Sequence, residues 1–207
     1  MHVETFNLGP IETNSYLAVE GTRAVAVDAG GDPSPMLAYL SSHRLTLTHI
    51  LLTHLHFDHT LGAKALQTAT GAAILAGAAD GYLLEIDLGR GGFMDFPEVE
   101  RFDYTPINEG EIDPAGWACK ALATPGHTPG SLSYYFPRAK AAFVGDLIFH
   151  GSVGRTDFPG GSHDILIASV REKIFTLAAE TILYPGHGPD TSVERERLHN
   201  PYFSDFA

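Results

Sequence analysis

Within six consecutive positions, His54-Leu55-His56-Phe57-Asp58-His59 offers three imidazoles and a carboxylate, directly after the apolar segment His49-Ile50-Leu51-Leu52. Neutral imidazole and carboxylate are the donors that Zn²⁺, Fe²⁺ and Mn²⁺ accept, so the run reads as a metal site that leaves the cation's identity open. A strand delivers His54 at its end, and the chain then turns into a helical stretch from Thr60 to Ala69. His54 and His56, two apart, can face one ion while the adjacent Asp58 and His59 face a second.

So short a run cannot close two coordination spheres, which predicts further ligands in loops that follow apolar strands. Leu122-Ala123-Thr124-Pro125-Gly126-His127-Thr128-Pro129-Gly130 presents His127 among prolines and glycines that fix a tight turn. Ala141-Ala142-Phe143-Val144-Gly145-Asp146 ends a strand on a carboxylate, and Thr181-Ile182-Leu183-Tyr184-Pro185-Gly186-His187-Gly188 ends another on an imidazole. Standing alone, either histidine would be read as solvated or core-satisfied, and Asp146 as a cap for the next segment. Beside 54–59 they read as ligands. His2, His43, His49, His150, His163 and His199 have no such context and are expected at the surface or behind a ligand.

The elements that must position these groups follow from hydrophobic periodicity. Strands are expected near 3–8, 15–19, 23–28, 48–53, 72–76, 103–107, 117–123, 131–136, 141–145 and 181–184, with helices near 34–43, 60–70, 164–178 and 192–198. A strand-rich half followed by helix occurs twice, without an internal sequence repeat. The acidic, glycine-punctuated stretch 79–100, with Arg90-Gly91-Gly92-Phe93-Met94-Asp95-Phe96-Pro97, is open between a flexible lid and an ordinary surface excursion.

At 207 residues, with 44% hydrophobic and 18% charged residues and no linker-like block, the chain is expected to form one globular domain over 1–207. Its net charge of -12 leaves no basic face for phosphates, so a nucleic-acid partner is not expected. Cys119 is the only cysteine and is expected as a small buried residue in a strand. No basic-then-apolar leader and no apolar run of membrane-spanning length is visible, so no membrane association and a cytoplasmic location are expected.

The HxHxDH run at 54–59, the PGHTPGS loop at 125–131, the Gly-Asp at 145–146 and the PGH at 185–187 occur in the order of a known family. By these motifs the chain resembles the metallo-β-lactamase superfamily, from the Val25-Ala26-Val27-Asp28-Ala29-Gly30 strand-turn to His187, and within it the glyoxalase II-like hydrolases. It looks most like the small single-domain bacterial type II glyoxalases, which share the loop Gly154-Arg155-Thr156-Asp157-Phe158-Pro159-Gly160-Gly161. The resemblance implies an α/β fold, an αββα sandwich of two mixed β-sheets flanked by helices. It implies two divalent metal ions, with zinc the expected identity and iron or manganese the alternatives. His54, His56 and His127 would hold metal 1, Asp58, His59 and His187 metal 2, Asp146 would bridge, and Asp28 would orient a ligand from behind. In the true β-lactamases of the superfamily a cysteine usually stands at the Asp146 position, which argues against antibiotic hydrolysis.

Two cations about 3.5–4 Å apart can deprotonate a bridging water near neutral pH while one of them polarises a carbonyl. The expected reaction is hydrolysis of an activated acyl compound, a small-molecule thioester such as S-lactoylglutathione or, as a variant, a lactone. Asp58 is the candidate catalytic residue, hydrogen-bonded to the hydroxide and able to take its proton later. Arg155 either meets a substrate carboxylate or makes a loop-stabilising salt bridge. Persulfide dioxygenases also resemble this chain, and their single iron would use His54, His127 and Asp146. Those enzymes usually follow the last histidine with an acidic residue and tyrosine, where Gly188-Pro189 stands here. A non-catalytic metal-binding protein would show an eroded ligand set, and no position is eroded. Nothing in the sequence predicts an oligomeric state.

Two tyrosines that grip glutathione in glyoxalase II are replaced by Asp157 and Pro189, and the stretch after His187 is shorter than that enzyme's helical domain. Each hydrogen bond so lost costs about 0.5–1.5 kcal/mol when no buried partner is stranded, and uniform binding losses appear in KM before kcat. Steady-state kinetics should therefore give a KM for S-lactoylglutathione well above that of two-domain glyoxalase II, with kcat preserved. A low KM with strong preference for the full conjugate would refute this.

Overall fold

Short apolar segments separated by Gly-containing turns set up an opening meander: β1 (His2–Leu8), β2 (Thr13–Glu20) and β3 (Arg23–Val27) pair antiparallel, with Asn7 opposite Asn14 and Tyr16 opposite Val27. The computed structural model describes residues 1–203. The chain divides into two compact units, one formed by Met1–Ile107 with Asp113–Trp117, the other by Asn108–Ile112 with the chain from Ala118 on.

In the first unit the sheet changes character after β3. β4 (Thr46–Leu51), β5 (Ala73–Gly77) and β6 (Thr105–Ile107) each run parallel to the strand before them, so each connection must cross over. Helix α1 (Ser34–Ser42) makes the first crossover, and α2 (Phe57–Thr60) with α3 (Ala63–Thr70) the second. The third contains a 3-10 segment, Ala78–Glu85, and α4 (Asp87–Arg90). The result is a mixed six-stranded sheet in sequence order. Ala24 to Val27 are all buried, as near-continuous apolar strands in parallel sheets are. Leu17, Ile50, Leu52, Met36, Leu40 and Leu66 form part of its core.

The second unit repeats the mixture. β7 (Gly110–Ile112), β8 (Cys119–Ala123), β9 (Leu132–Phe136) and β10 (Ala141–Gly145) pair antiparallel in succession. A small hairpin, β11 (Ile148–Phe149) with β12 (Ser152–Val153), precedes α5 (His163–Ser169), which continues as a π turn over Val170–Ile174. That crossover returns β13 (Ile182–Pro185) parallel to β10, and β14 (Thr191–Ser192) leads into α6 (Val193–His199). The sheet order is β14-β13-β10-β9-β8-β7, with Val144, Leu147, Leu166, Val170, Ile174 and Leu183 in the core. Among the described residues no helix is long and apolar enough to cross a membrane.

The expected helix over 60–70 starts later, as α3 at Ala63, because Thr60 closes the short α2 and Leu61-Gly62 separates the two. The expected helix over 164–178 stops being helical at Phe175. The unexpected strands β7, β11, β12 and β14 are two or three residues long, too short for alternation to register. Cys119 is buried as expected, which pushes its thiol well above its usual range.

Sequence reading also passed over Glu196. Fully buried in α6, its carboxylate accepts from Thr191 Oγ1 (2.6 Å), Arg195 Nη1 (2.7 Å), Asn200 Nδ2 (2.8 Å) and Gly151 N (2.9 Å). Asn200 Nδ2 also donates to Ser152 O, so the β11–β12 hairpin is tied to the last helix. Burial raises the carboxyl's pKa, but the donors outweigh it and hold it below its usual range. A depressed folded pKa gives stability that is present above the unfolded pKa and is lost as pH falls through the folded one. Urea denaturation of Glu196→Ala at pH 7 should show a loss of about 3 kcal/mol, with stranded donors as the main cause. The variant's stability should also fall less than wild type's between pH 6 and the acid range, and equal slopes would show that Glu196 carries no charge-dependent stability.

Candidate metal centre

The parallel pairing of β3 and β4, with Val27 opposite Leu51, brings Asp28 and the segment after Leu51 to the same sheet edge. This is the carboxyl end of parallel strands, where α/β folds build their sites. Asp28 takes a left-handed backbone (φ 57) and donates its N–H to Leu51 O at 3.0 Å. Its carboxylate accepts from Thr53 N, Thr53 Oγ1 and His59 Nδ1, each at 2.8 Å. A carboxylate only accepts, so the His59 proton sits on Nδ1 and the lone pair on Nε2. Thr53 Oγ1, having donated to Asp28, accepts from His54 Nδ1 at 3.1 Å, which puts the His54 lone pair on Nε2 as well.

His54, His56, Asp58 and His59 are all buried. The His54 ring lies 4.7 Å from His56, near perpendicular, and 4.0 Å from His59. Thr13 Oγ1 donates to Asp58 Oδ2 at 3.1 Å, and that oxygen lies 3.4 Å from His59 Nε2. Gly30 is required by close approach, since a Cβ there would stand 2.5 Å from the Asp58 carbonyl oxygen. Buried Asp80 accepts from the amide of Leu55, between the two histidines, at 3.3 Å. No sequence signal distinguished Asp80, one of six acidic residues in the unassigned stretch 79–100, or Thr13 in the opening meander.

In the second unit β10 and β13 run parallel with Gly145 opposite Pro185, and Gly186 N donates to Gly145 O at 2.9 Å. Asp146 and His187 therefore emerge side by side, both half-buried. Asp146 Oδ2 lies 3.6 Å from Nε2 of buried His127 and 3.7 Å from Nε2 of His187. The His127 Nδ1–H donates to the backbone carbonyl of Arg155 at 2.7 Å, so here too the lone pair is on Nε2.

The loop 154–161 braces these groups. A Cβ at Gly154 would stand 1.7 Å from the Asp146 carbonyl oxygen, so only glycine lets the loop lie against that residue. Arg155 forks to Asp157 through Nε and Nη2, both 2.7 Å, and its guanidinium stacks 3.8 Å over Phe158. Hydrogen bonds from Arg155 hold the Asp157 carboxyl down to about 2. Of the two roles expected for Arg155, the loop salt bridge is present.

Whether these residues suit a cation can be tested on their separations. Donors about 2.0–2.2 Å from one tetrahedral ion lie roughly 3.3–3.6 Å from each other, longer than a normal hydrogen bond. The separations of 3.4, 3.6 and 3.7 Å match that edge. His54, His56, Asp58 and His59 in the first unit, and His127, Asp146 and His187 in the second, are all groups that could hold a metal ion. The histidine and aspartate clusters fit a metal site, with Asp28, Thr53 and the Arg155 carbonyl orienting imidazoles from behind. Of the remaining histidines, His49 is half-buried and the other five are exposed, as expected.

The family model of the metallo-β-lactamase superfamily matches residues 8–187. The chain therefore belongs to that superfamily of metallo-hydrolases, which binds divalent metals, and has its α/β fold of mixed sheets flanked by helices. It is 34% identical to the "Probable metallo-hydrolase YqgX" of Bacillus subtilis, over 97% of this chain and 96% of that one. It is 32% identical to the hydroxyacylglutathione hydrolase GloC of Haemophilus influenzae, over 99% of each. Among solved structures, the BLEG-1 B3 metallo-β-lactamase superposes with a TM-score of 0.92 at 35% identity, over 98% of this chain and 100% of that one. TTHA1623 in a di-iron-bound form superposes with a TM-score of 0.87 at 34% identity, over 96% and 99%.

Asp28→Asn keeps the shape of the side chain but places an amide where one carboxylate accepts three donors. Chelator competition should show divalent-metal affinity reduced about 10- to 100-fold. Unchanged affinity would show that His59 is oriented by packing alone.

Proposed function

We propose that this chain is a binuclear metal-dependent hydrolase of an activated acyl compound, a thioester of the S-lactoylglutathione kind, acting as one domain over 1–207. The observation that carries the proposal is Asp146, whose single oxygen Oδ2 lies at ligand-edge distance from both His127 Nε2 and His187 Nε2, as a carboxylate shared by two cations would. In this reading His54, His56 and His127 hold metal 1, Asp58, His59 and His187 hold metal 2, and Asp146 serves both. Zinc is the proposed loading, with iron or manganese as alternatives; the di-iron form of TTHA1623 supports iron. The likeness to the hydroxyacylglutathione hydrolase GloC supports the thioester and the proposed kinship with the type II glyoxalases.

Bound cations supply Lewis acidity to the substrate carbonyl and acidify a water nucleophile. The chain's own part is to orient and to move a proton. Asp58, held by the Thr13 hydroxyl, keeps a carboxylate in place to accept a proton from the attacking water and return it to the leaving thiolate. Arg155 keeps a side chain 56% exposed while forked to Asp157, which leaves its outer face accessible to a substrate carboxylate. Substrates are small molecules on this reading. The net charge of -12 disfavours nucleic acid, and a cytoplasmic enzyme with no membrane partner remains the proposed setting.

The single-iron dioxygenase reading requires only His54, His127 and Asp146. It gives no role to the buried Asp58–His59 pair or to the Asp28 carboxylate behind it. BLEG-1, described as a B3 metallo-β-lactamase, makes β-lactams a necessary comparison substrate despite Asp146.

Protein purified without added metal should carry two equivalents after loading and hydrolyse the thioester in preference to a β-lactam, with no sulfide-dependent oxygen uptake. Asp58→Asn and His59→Ala should each reduce thioester turnover by about 10²-fold or more. One equivalent of iron with oxygen uptake retained in His59→Ala would establish the dioxygenase instead.

A further inference from the structure

The stretch 91–98 closes on itself. An antiparallel bridge joins Gly91 to Glu98, Gly92 N donates to Pro97 O at 3.1 Å, Phe96 N to Phe93 O at 2.9 Å, and Val99 N to Arg90 O at 2.7 Å. Inside this ring the backbone is left-handed at Met94 (φ 49) and Asp95 (φ 65), a conformation L side chains adopt rarely. The loop is held to a defined shape.

Its anchor lies inside the ligand run. Phe93 and Phe96 pack on Phe57 with ring centroids 5.4 and 4.9 Å away, and on each other at 5.7 Å. Phe57 stands between His56 and Asp58 and is only 7% exposed. Adjacent Cα atoms are about 3.8 Å apart, so the loop is fastened to the very backbone that carries two candidate ligands. At its tip Met94 is 82% exposed, more than any other large apolar side chain among the described residues. A flexible, polarisable side chain displayed in this way suits an apolar partner of variable shape.

We propose that residues 91–98 form a fixed substrate arm in which Met94 contacts an apolar chain on the acyl or thiol side of the substrate, making chain length a determinant of specificity. The inference rests on the thioester reading for the identity of that substrate. A rigid arm also differs from a lid, because the aromatic anchor and the closed hydrogen-bond ring leave no hinge within 91–98.

Non-hydrolysable S-methyl, S-butyl and S-hexyl thioethers of N-acetylcysteamine, titrated calorimetrically into the metal-loaded enzyme, test it. Wild type should bind about two- to fourfold tighter per added methylene. Met94→Asn, whose side chain tolerates the left-handed backbone, should melt no lower, bind the S-methyl compound equally and lose at least half of the length dependence. Equal length dependence in the two proteins, or none in wild type, would overturn the proposal. A change of oligomeric state on substitution with the length dependence intact would also overturn it and assign Met94 to contact with a second copy. The thioethers are not turned over, so absence of thioester hydrolysis would defeat the functional reading while leaving this result to stand or fall alone.

Discussion

The carboxylate of Asp28 is the group on which the order of the ligand run depends. Three donors from two segments converge on it, the amide and hydroxyl of Thr53 and the Nδ1–H of His59. Together they fix where the chain leaves β4, which way α2 points and which nitrogen of His59 carries the lone pair. A buried carboxylate can be kept there because each of these donors would otherwise be unsatisfied, and because the left-handed backbone at Asp28 turns its side chain back towards the strand it pairs with. Gly30, two residues on, then lets the chain pass against the Asp58 carbonyl, so one short turn after β3 positions residues on both sides of the motif.

The second unit solves the same problem with backbone instead of a carboxylate. β10 and β13 end together, which presents Asp146 and His187 side by side, and the amide of Gly186 locks the two ends through Gly145 O. His127 is aimed by a main-chain carbonyl, that of Arg155, whose own place is kept by the Asp157 fork, the Phe158 ring and the contact of Gly154 with Asp146. The hairpin that leads into this loop is fastened by Glu196 and Asn200. The loop's charged side chains are thus spent largely on its own shape.

How much of this was legible in the sequence depended on the range of the interaction. Strands β3, β4, β10 and β13 were visible because buried parallel strands are continuous apolar runs, and the candidate ligands because each follows such a run at Gly, Pro or a polar turn. Asp28 was identifiable for the same reason, at the end of one. Asp80, Thr13 and Glu196 were not, since Asp80 acts on a residue 25 positions away, Thr13 on one 45 away and Glu196 on Gly151, also 45 away, and none has a local pattern that marks it. The stretch 79–100 was unassigned because 3-10 turns and left-handed residues have no periodicity to detect. For Arg155 the sequence could not choose between a substrate contact and a loop fork, because the partner two residues on looks the same in either case.

The groups behind the imidazoles are graded, and that grading has chemical meaning. His59 donates to a carboxylate, His127 to a carbonyl and His54 to a hydroxyl. A carboxylate partner stabilises positive charge on the ring more than either neutral acceptor, so it makes Nε2 of His59 the most basic of these donors. The Nε2 of His59 also lies 3.4 Å from the Asp58 carboxylate. The strongest imidazole donor is therefore paired with an anion on one side and backed by another. A cation at that set would be held chiefly through charge, whereas His54, backed by a hydroxyl, offers a more neutral nitrogen. Two adjacent cations held from this one short motif would thus meet donors of different hardness, a physical basis for unequal loading from a mixed pool of divalent metals.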